Sequence, residues 1–271
     1  MPEARAIPVL MYHHVSPNPG LVTVSPETFS AQMQYLADQG WNTITPDQLL
    51  LWQAGEIKLP ARSVLITFDD GYLDNYVHAY PVLQRLGLRA TVFLITGLIG
   101  EGECRAHAGQ PDMPVCPDHR RCKQAMASGE ADLVMLRWSE VRQMQQSGVF
   151  QFHSHTHSHT RWDKTDPEQR LQHMAQELSE SRATLQHRLG VDSTHLCWPQ
   201  GYYEPAYQQL ALQAGYRALY TTEKRVVRRD SDPHLIGRVV VKDRTGFWFA
   251  NRLWLFSKPL LGHWYTRMRG E

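Results

Sequence analysis

Short apolar runs alternate with amphipathic stretches along most of this chain. Pro8 to Tyr12, Val64 to Phe68, Ala90 to Ile95, Val149 to Phe152, His195 to Trp198, Ala218 to Thr221 and Leu235 to Val241 are each bounded by turn residues or polar segments. Runs of about four to seven residues suit buried strands. Between them, apolar positions recur at helical spacing. Ser25-Pro26-Glu27-Thr28 ahead of Phe29, Met33 and Leu36 predicts a capped amphipathic helix. Further helices are predicted around Tyr76 to Leu86, Leu136 to Gln146, Glu168 to Leu189 and Ala206 to Ala214.

Strand followed by helix, repeated, predicts a parallel sheet, either closed as a barrel or doubly wound. Both architectures bind ligands at the C-terminal ends of their strands. Chemically versatile side chains fall at those ends: Tyr12-His13-His14, Asp69-Asp70, the histidines from His153 to His159, and Trp198-Pro199-Gln200. Residues 101–132 break the rhythm with an inserted loop holding Cys104, Cys116 and Cys122. Those cysteines with His107 or His119 offer a small zinc knot, although no CxxC pair is present. The competing reading is a covering loop with reduced thiols.

Composition narrows the field. With 271 residues, 42% apolar and 20% charged, the chain can bury a sizeable single core. A net charge of +1 gives no electrostatic reason to expect nucleic acid. No stretch is apolar enough to span a bilayer, and the first residues lack the apolar region of an export signal. The expected location is therefore cytoplasmic, with thiols rather than disulfides. Histidine stands out at 14 residues, and it is the commonest metal ligand.

Two strings carry most of the chemistry. Thr67-Phe68-Asp69-Asp70-Gly71 ends an apolar run on two carboxylates, with Gly71 permitting a tight turn. One carboxylate can bind a metal while its neighbour faces the reacting water. A bare Asp-Asp-Gly equally suits a cap on the following helix. Phe152-His153-Ser154-His155-Thr156-His157-Ser158-His159 places histidines at every second position, so His153 with His157, or His155 with His159, can chelate one ion.

Together these strings resemble the polysaccharide deacetylases of carbohydrate esterase family 4, the NodB-homology family, from about Pro8 to Val241. The resemblance implies an irregular (β/α) barrel over residues 1–244, with the insert at 101–132. It implies a metal set of Asp70, His155 and His159, with Asp69 as general base and Thr156 supporting the histidines. Two His and one carboxylate suit a catalytic divalent ion, zinc first. The family's RxPYG string stands here as Cys197-Trp198-Pro199-Gln200-Gly201, so its arginine and tyrosine are replaced. The backbone N–H of Gln200 is then the implied oxyanion donor. Trp198, Pro199 and Arg238 are expected to line the sugar site, Arg238 being also the candidate cation for Asp69. No histidine corresponding to the family's C-terminal one follows Arg238. Val9 to His14 looks like that strand moved to the N-terminus, as in the circularly permuted branch that includes poly-N-acetylglucosamine deacetylases. His13 is accordingly the implied general acid, with His14 as the alternative.

Residues 245–271 are rich in aromatic and basic side chains, from Phe247 and Trp248 to Arg267 and Arg269. That composition suits an amphipathic segment at an anionic membrane surface. In this respect the chain is similar to the lipid-carrier sugar deacetylases of lipid A modification. The expected substrate is an N-acetylated amino sugar on polyprenyl phosphate, met at the inner membrane face. A deacetylase of poly-N-acetylglucosamine or another soluble glycan is the alternative, and a non-catalytic metal- or glycan-binding domain is a second.

Overall fold

A computed structural model of the chain describes residues 2–244 and 246–268. Thr245 and residues 269–271 of the basic tail, including Arg269, lie outside the described residues. The main sheet is parallel and curls into a barrel. Its strands are β1 (Val9–Tyr12), β2 (Ser63–Phe68), β3 (Ala90–Leu94), β4 (Phe150–Ser154), β5 (His195–Cys197), β6 (Ala218–Tyr220) and β7 (Val239–Val240), of which β1 to β6 pair in that order and β7 pairs with the other side of β1. Leu10 sits opposite Ile66, Thr67 opposite Thr91, Val92 opposite Phe152, Ser154 opposite Leu196, and Leu196 opposite Leu219. The ends of the sheet meet in one segment. Ile236 bridges Tyr220, and β7 returns to β1 with Val239 opposite Leu10.

The predicted last strand is shorter than the apolar run Leu235 to Val241. Leu235 closes a 3₁₀ turn begun by Pro233, and the Arg238 N–H leaves the sheet to donate to Glu223 O at 2.9 Å. Proline supplies no ladder hydrogen, and the Gly237–Arg238 bend interrupts the pairing.

Helices cover the outside: α1 (Pro26–Asp38), α2 (Pro46–Gln53), α3 (Tyr80–Leu86), α4 (His119–Ala127), α5 (Trp138–Gln146), α6 (Arg170–Leu189), α7 (Pro205–Gln213), α8 (Phe247–Phe256) and α9 (Pro259–Met268). α1 begins where its sequence predicts, with Ser25 accepting from the Thr28 N–H and Pro26 in the first turn. α2 escapes the periodicity reading because its apolar residues form a run, Leu49 to Trp52, without helical spacing, although Thr45 and Gln48 form a capping box around Pro46. The insert is more ordered than a loop. It contains α4, capped by Asp118, and Arg105 anchors it by donating to both carboxylate oxygens of the buried Glu140 at 2.8 Å.

Strand parity sorts the core. Leu10, Tyr12, Ile66, Phe68, Val92 and Leu94 face outward beneath the helices, whereas Val9, Leu65, Phe93, Cys197 and Tyr220 fill the barrel. Because side chains alternate along a strand, His13, Thr67, Asp69, His153, His155 and Arg238 fall on inward positions. The C-terminal segment is not set apart. Phe249, Leu253 and Phe256 of α8 belong to the same core as α1, and Phe249 meets the Tyr35 ring edge-on at 6.1 Å.

Candidate active site

The inward positions at the C-terminal ends of β1, β2, β4 and β5 converge. Asp69 is 2% exposed and receives a fork from Arg238, Nη1 to Oδ1 at 2.6 Å and Nη2 to Oδ2 at 2.7 Å. Burial pushes the Asp69 carboxyl up, and the Arg238 charge and hydrogen bonds more than offset this, holding it below its ordinary value. His13 Nε2 lies 3.8 Å from Asp69 Oδ2. Burial lowers the His13 pKa against the raising influence of Asp69 and Asp70.

Asp70 occupies the next position with φ +74°, a left-handed backbone that turns its side chain away from that of Asp69. Gly71 follows at φ +88°, where a Cβ would come within 2.6 Å of Leu94 Cδ2. Asp70 Oδ1 lies 3.3 Å from His155 Nε2 and 3.7 Å from His159 Nε2. Those approaches are not aligned as hydrogen bonds, and Oδ1 is buried with no hydrogen-bond partner. The ligand atoms of Asp70, His155 and His159 all lie within 4.8 Å of one another. His155 Nδ1 donates to Cys197 O at 2.7 Å, which fixes its tautomer and leaves the Nε2 lone pair facing Asp70. An orphaned carboxylate oxygen beside two imidazoles fits a divalent ion, with coordination positions left over for water and substrate.

The loop after β4 is held from outside the barrel. Glu177 on α6 accepts from the N–H groups of His157 at 2.8 Å and Ser158 at 2.7 Å, and also from the Ser158 hydroxyl. Thr156 Oγ1 accepts from the His159 N–H at 3.2 Å. Thr156, His159 and Gln200, like Asp70, are non-glycine residues at positive φ. Strain of about 1–3 kcal/mol each collects at these turns, as it does at functional sites. Glu177 was invisible as a functional residue in the sequence, although a charge on the buried face that carries Met174 and Leu178 was its signal.

The structure separates the histidines. His155 and His159 meet at Asp70, whereas His153 lies deeper in the barrel on Ser193 Oγ at 3.2 Å and His157 turns to Thr96 Oγ1 at 3.1 Å. The three residues expected to line the sugar site are all buried instead. Trp198 has the outward parity of Leu196, is fully buried, and stacks near Tyr207 with ring centroids 6.2 Å apart. Arg238 is also fully buried and gives its fork to Asp69, so it presents no surface to a sugar. Pro199 is buried too, in the turn that carries Gln200. Gly201 closes that turn at φ +69°, where a Cβ would fall 2.1 Å from Thr222 Oγ1. Cys197, standing where the related string has arginine, puts Sγ 3.0 Å from Arg238 Nη2, so the guanidinium arrives from the last strand instead. The zinc knot of the insert does not form. Among the described residues all four cysteines are free, and no group of three possible ligands gathers around Cys104, Cys116 or Cys122.

A parallel barrel with a buried carboxylate pair, two histidines and a third at its C-terminal mouth defines a hydrolase site competent for a divalent metal. The profile of the polysaccharide deacetylase family matches residues 56–219, and the chain belongs to that family, whose members are carbohydrate N-deacetylases. It is 31% identical over 235 residues to YxkH of Bacillus subtilis, whose name places it among polysaccharide deacetylases, covering 87% of this chain and 71% of that one. It is 23% identical over 225 residues to the poly-beta-1,6-N-acetyl-D-glucosamine N-deacetylase of Staphylococcus aureus, covering 82% and 68%. Its fold superposes on IcaB from Ammonifex degensii with a TM-score of 0.72 at 25% identity, covering 94% of this chain and 99% of that one.

Proposed function

We propose that this protein hydrolyses the acetamide of an N-acetylated glycan of the poly-N-acetylglucosamine kind. The observation that carries the reading is the convergence of Asp69, Asp70, His13, His155 and His159 at one barrel mouth. In this reading Asp70, His155 and His159 hold a divalent metal, zinc by preference for a two-histidine, one-carboxylate set. Such an ion supplies Lewis-acid polarisation of the carbonyl and a lowered water pKa. Asp69, oriented by Arg238, takes a proton from the attacking water. His13, whose Nε2 lies 3.8 Å from Asp69 Oδ2 at the same mouth, is the general acid that protonates the departing amine. The Gln200 N–H, in a turn of fixed left-handed geometry, is the oxyanion donor. The near-complete set weighs against a purely glycan-binding role.

The test is acetate release from a β-1,6-linked N-acetylglucosamine oligosaccharide. Chelated enzyme is expected to lose activity and to regain it with zinc or another divalent ion. Activity that survives complete metal removal would contradict the metal assignment.

The polyprenyl-linked sugar expected from the basic aromatic tail draws less support than the soluble glycan, which the Staphylococcus aureus relative's name favours. One observation keeps it as a second reading. Phe247, Trp254, Leu260 and Trp264 are exposed at 85%, 51%, 83% and 62% on α8 and α9, with Arg252 on α8 and Lys258 in the turn between the two helices. Among the described residues no helix is long and apolar enough to cross a membrane. In this reading the protein lies peripherally on an anionic surface. Phe247→Ser/Trp254→Ser/Leu260→Ser is then expected to abolish sedimentation with phosphatidylglycerol vesicles. Equal sedimentation of that variant, or none by the parent protein, would remove the reading.

A further inference from the structure

Beside the carboxylate pair runs a second hydrogen-bonded chain that the reaction above does not use. Asp74 is buried and accepts from His14 Nδ1 at 2.7 Å, from Asn75 Nδ2 at 2.9 Å and from the Val15 N–H at 3.3 Å. His14 is fully buried, its ring lying on Tyr72 with centroids 3.8 Å apart. Its Nε2 meets His119 Nδ1 at 3.1 Å. His119 opens α4 in the insert and is only half-buried, with its ring edge-on to Tyr72 at 6.3 Å. His14 directly follows His13 at the end of β1, and Tyr72, which packs against the His14 and His119 rings, is two residues from Asp70, so His119 lies beside the segments that carry the carboxylate pair and His13.

The polarity of the chain follows from its buried end. An ionised Asp74 accepts only, so His14 Nδ1 donates to it. If His14 is neutral, its Nε2 accepts, His119 Nδ1 donates, and His119 Nε2 carries a lone pair. If His14 is charged, its Nε2 donates and His119 Nε2 carries the hydrogen. In either state Nδ1 of His119 is committed inward, and Nε2 is the nitrogen presented for another partner. A hydroxyl both donates and accepts, so it satisfies Nε2 in both states, and a glycan is dense in hydroxyls. Burying a carboxylate and an imidazole is costly unless each is paired, so this relay specifies the orientation of one ring on an otherwise peripheral insert.

We infer that His119 is a substrate-contacting residue that hydrogen-bonds a sugar hydroxyl through Nε2, with Asp74 and His14 as the positioning residues that fix its ring. The inference rests on the glycan reading of the site and names a specificity contact within it. The insert thereby supplies recognition while the barrel supplies the reaction.

The test measures kcat, KM and calorimetric binding of a β-1,6-linked N-acetylglucosamine oligosaccharide for the metal-loaded protein and three variants. His119→Ala is expected to raise KM and weaken binding about tenfold, the scale of one lost hydrogen bond in a partly buried site, with kcat changed far less. His119→Gln, which keeps a group able to donate and accept, is expected to recover most of the binding. His14→Phe, which keeps the flat contact with Tyr72 but cuts the relay, is expected to weaken binding in the same direction. Unchanged KM and binding in His119→Ala would overturn the inference. So would equal losses in His119→Ala and His119→Gln accompanied by a lowered unfolding midpoint, since the histidine would then only dock α4. A parent protein that binds the oligosaccharide without releasing acetate would sink the catalytic reading and leave this contact standing, whereas one that does not bind it overturns the contact as well.

Discussion

Asp69→Asn is expected to lower kcat by about 10²–10⁴-fold, the contribution of a positioned general base. The substitution changes little in shape. The amide oxygen can accept from only one arm of the Arg238 fork and the buried guanidinium loses its counter-charge, so the fold is expected to be less stable. Asp70, His155 and His159 are untouched, so the folded variant is expected to keep metal content and oligosaccharide binding near those of the parent protein. What the variant lacks is a group able to take the proton from water at the end of β2. Metal analysis beside the acetate assay separates the two effects. Loss of the metal together with activity would show Asp69 to be a ligand, and turnover within a few-fold of the parent would show that the base lies elsewhere.

Arg238→Met is expected to destabilise the fold by about 3–5 kcal/mol at neutral pH, the usual result of removing one partner of a buried ion pair. Both partners are essentially out of solvent, at 0% and 2% exposure, so water does not replace the lost fork. Activity is expected to fall as well, because among the described residues no other side chain holds both oxygens of Asp69. The pH dependence has a definite sign. In the parent protein Asp69 titrates below its ordinary value, so it stabilises the folded state above the unfolded carboxylate pKa of about 3.9 and loses that contribution as pH falls. Without Arg238 only the smaller lowering influence of His155 and His13 opposes burial, so the carboxyl rises and the charged form contributes less to folding at neutral pH. The stability gap between parent and variant is therefore widest near neutrality and narrows in acid. Denaturant unfolding at several pH values measures it, and a gap independent of pH would contradict the account.

The chemistry legible in the sequence is the part written locally. Thr67 to Gly71 states a strand end with two carboxylates, and the histidines from His153 to His159 state a chelating loop, because the strand period and the turn residues act within a few positions. The barrel strands, the cap of α1 and four further helices follow from the same short-range pattern. α2 and α4 did not, since the apolar residues of α2 form a run from Leu49 to Trp52 without helical spacing and α4 buries only Cys122, so neither shows a periodic face.

Across longer distances the sequence by itself determined less. It determined the alternation of strand and helix, the carboxylate pair, the candidate ligands and the family resemblance, since these depend on residue type and local spacing. Residue spacing left the register of the histidines open and the resemblance pointed to His155 and His159; the tertiary structure shows how they reach Asp70, through a loop that Glu177 on α6 holds. It also decided that Trp198 faces the outer core, since one position of strand parity separates it from Cys197. Most of all it decided what orients Asp69. Arg238 lies 169 residues away and reaches it only when the barrel closes, bringing the last strand against the first. A hydrogen bond depends on a few ångströms between two atoms, and sequence distance carries almost none of that information until packing fixes the strand order.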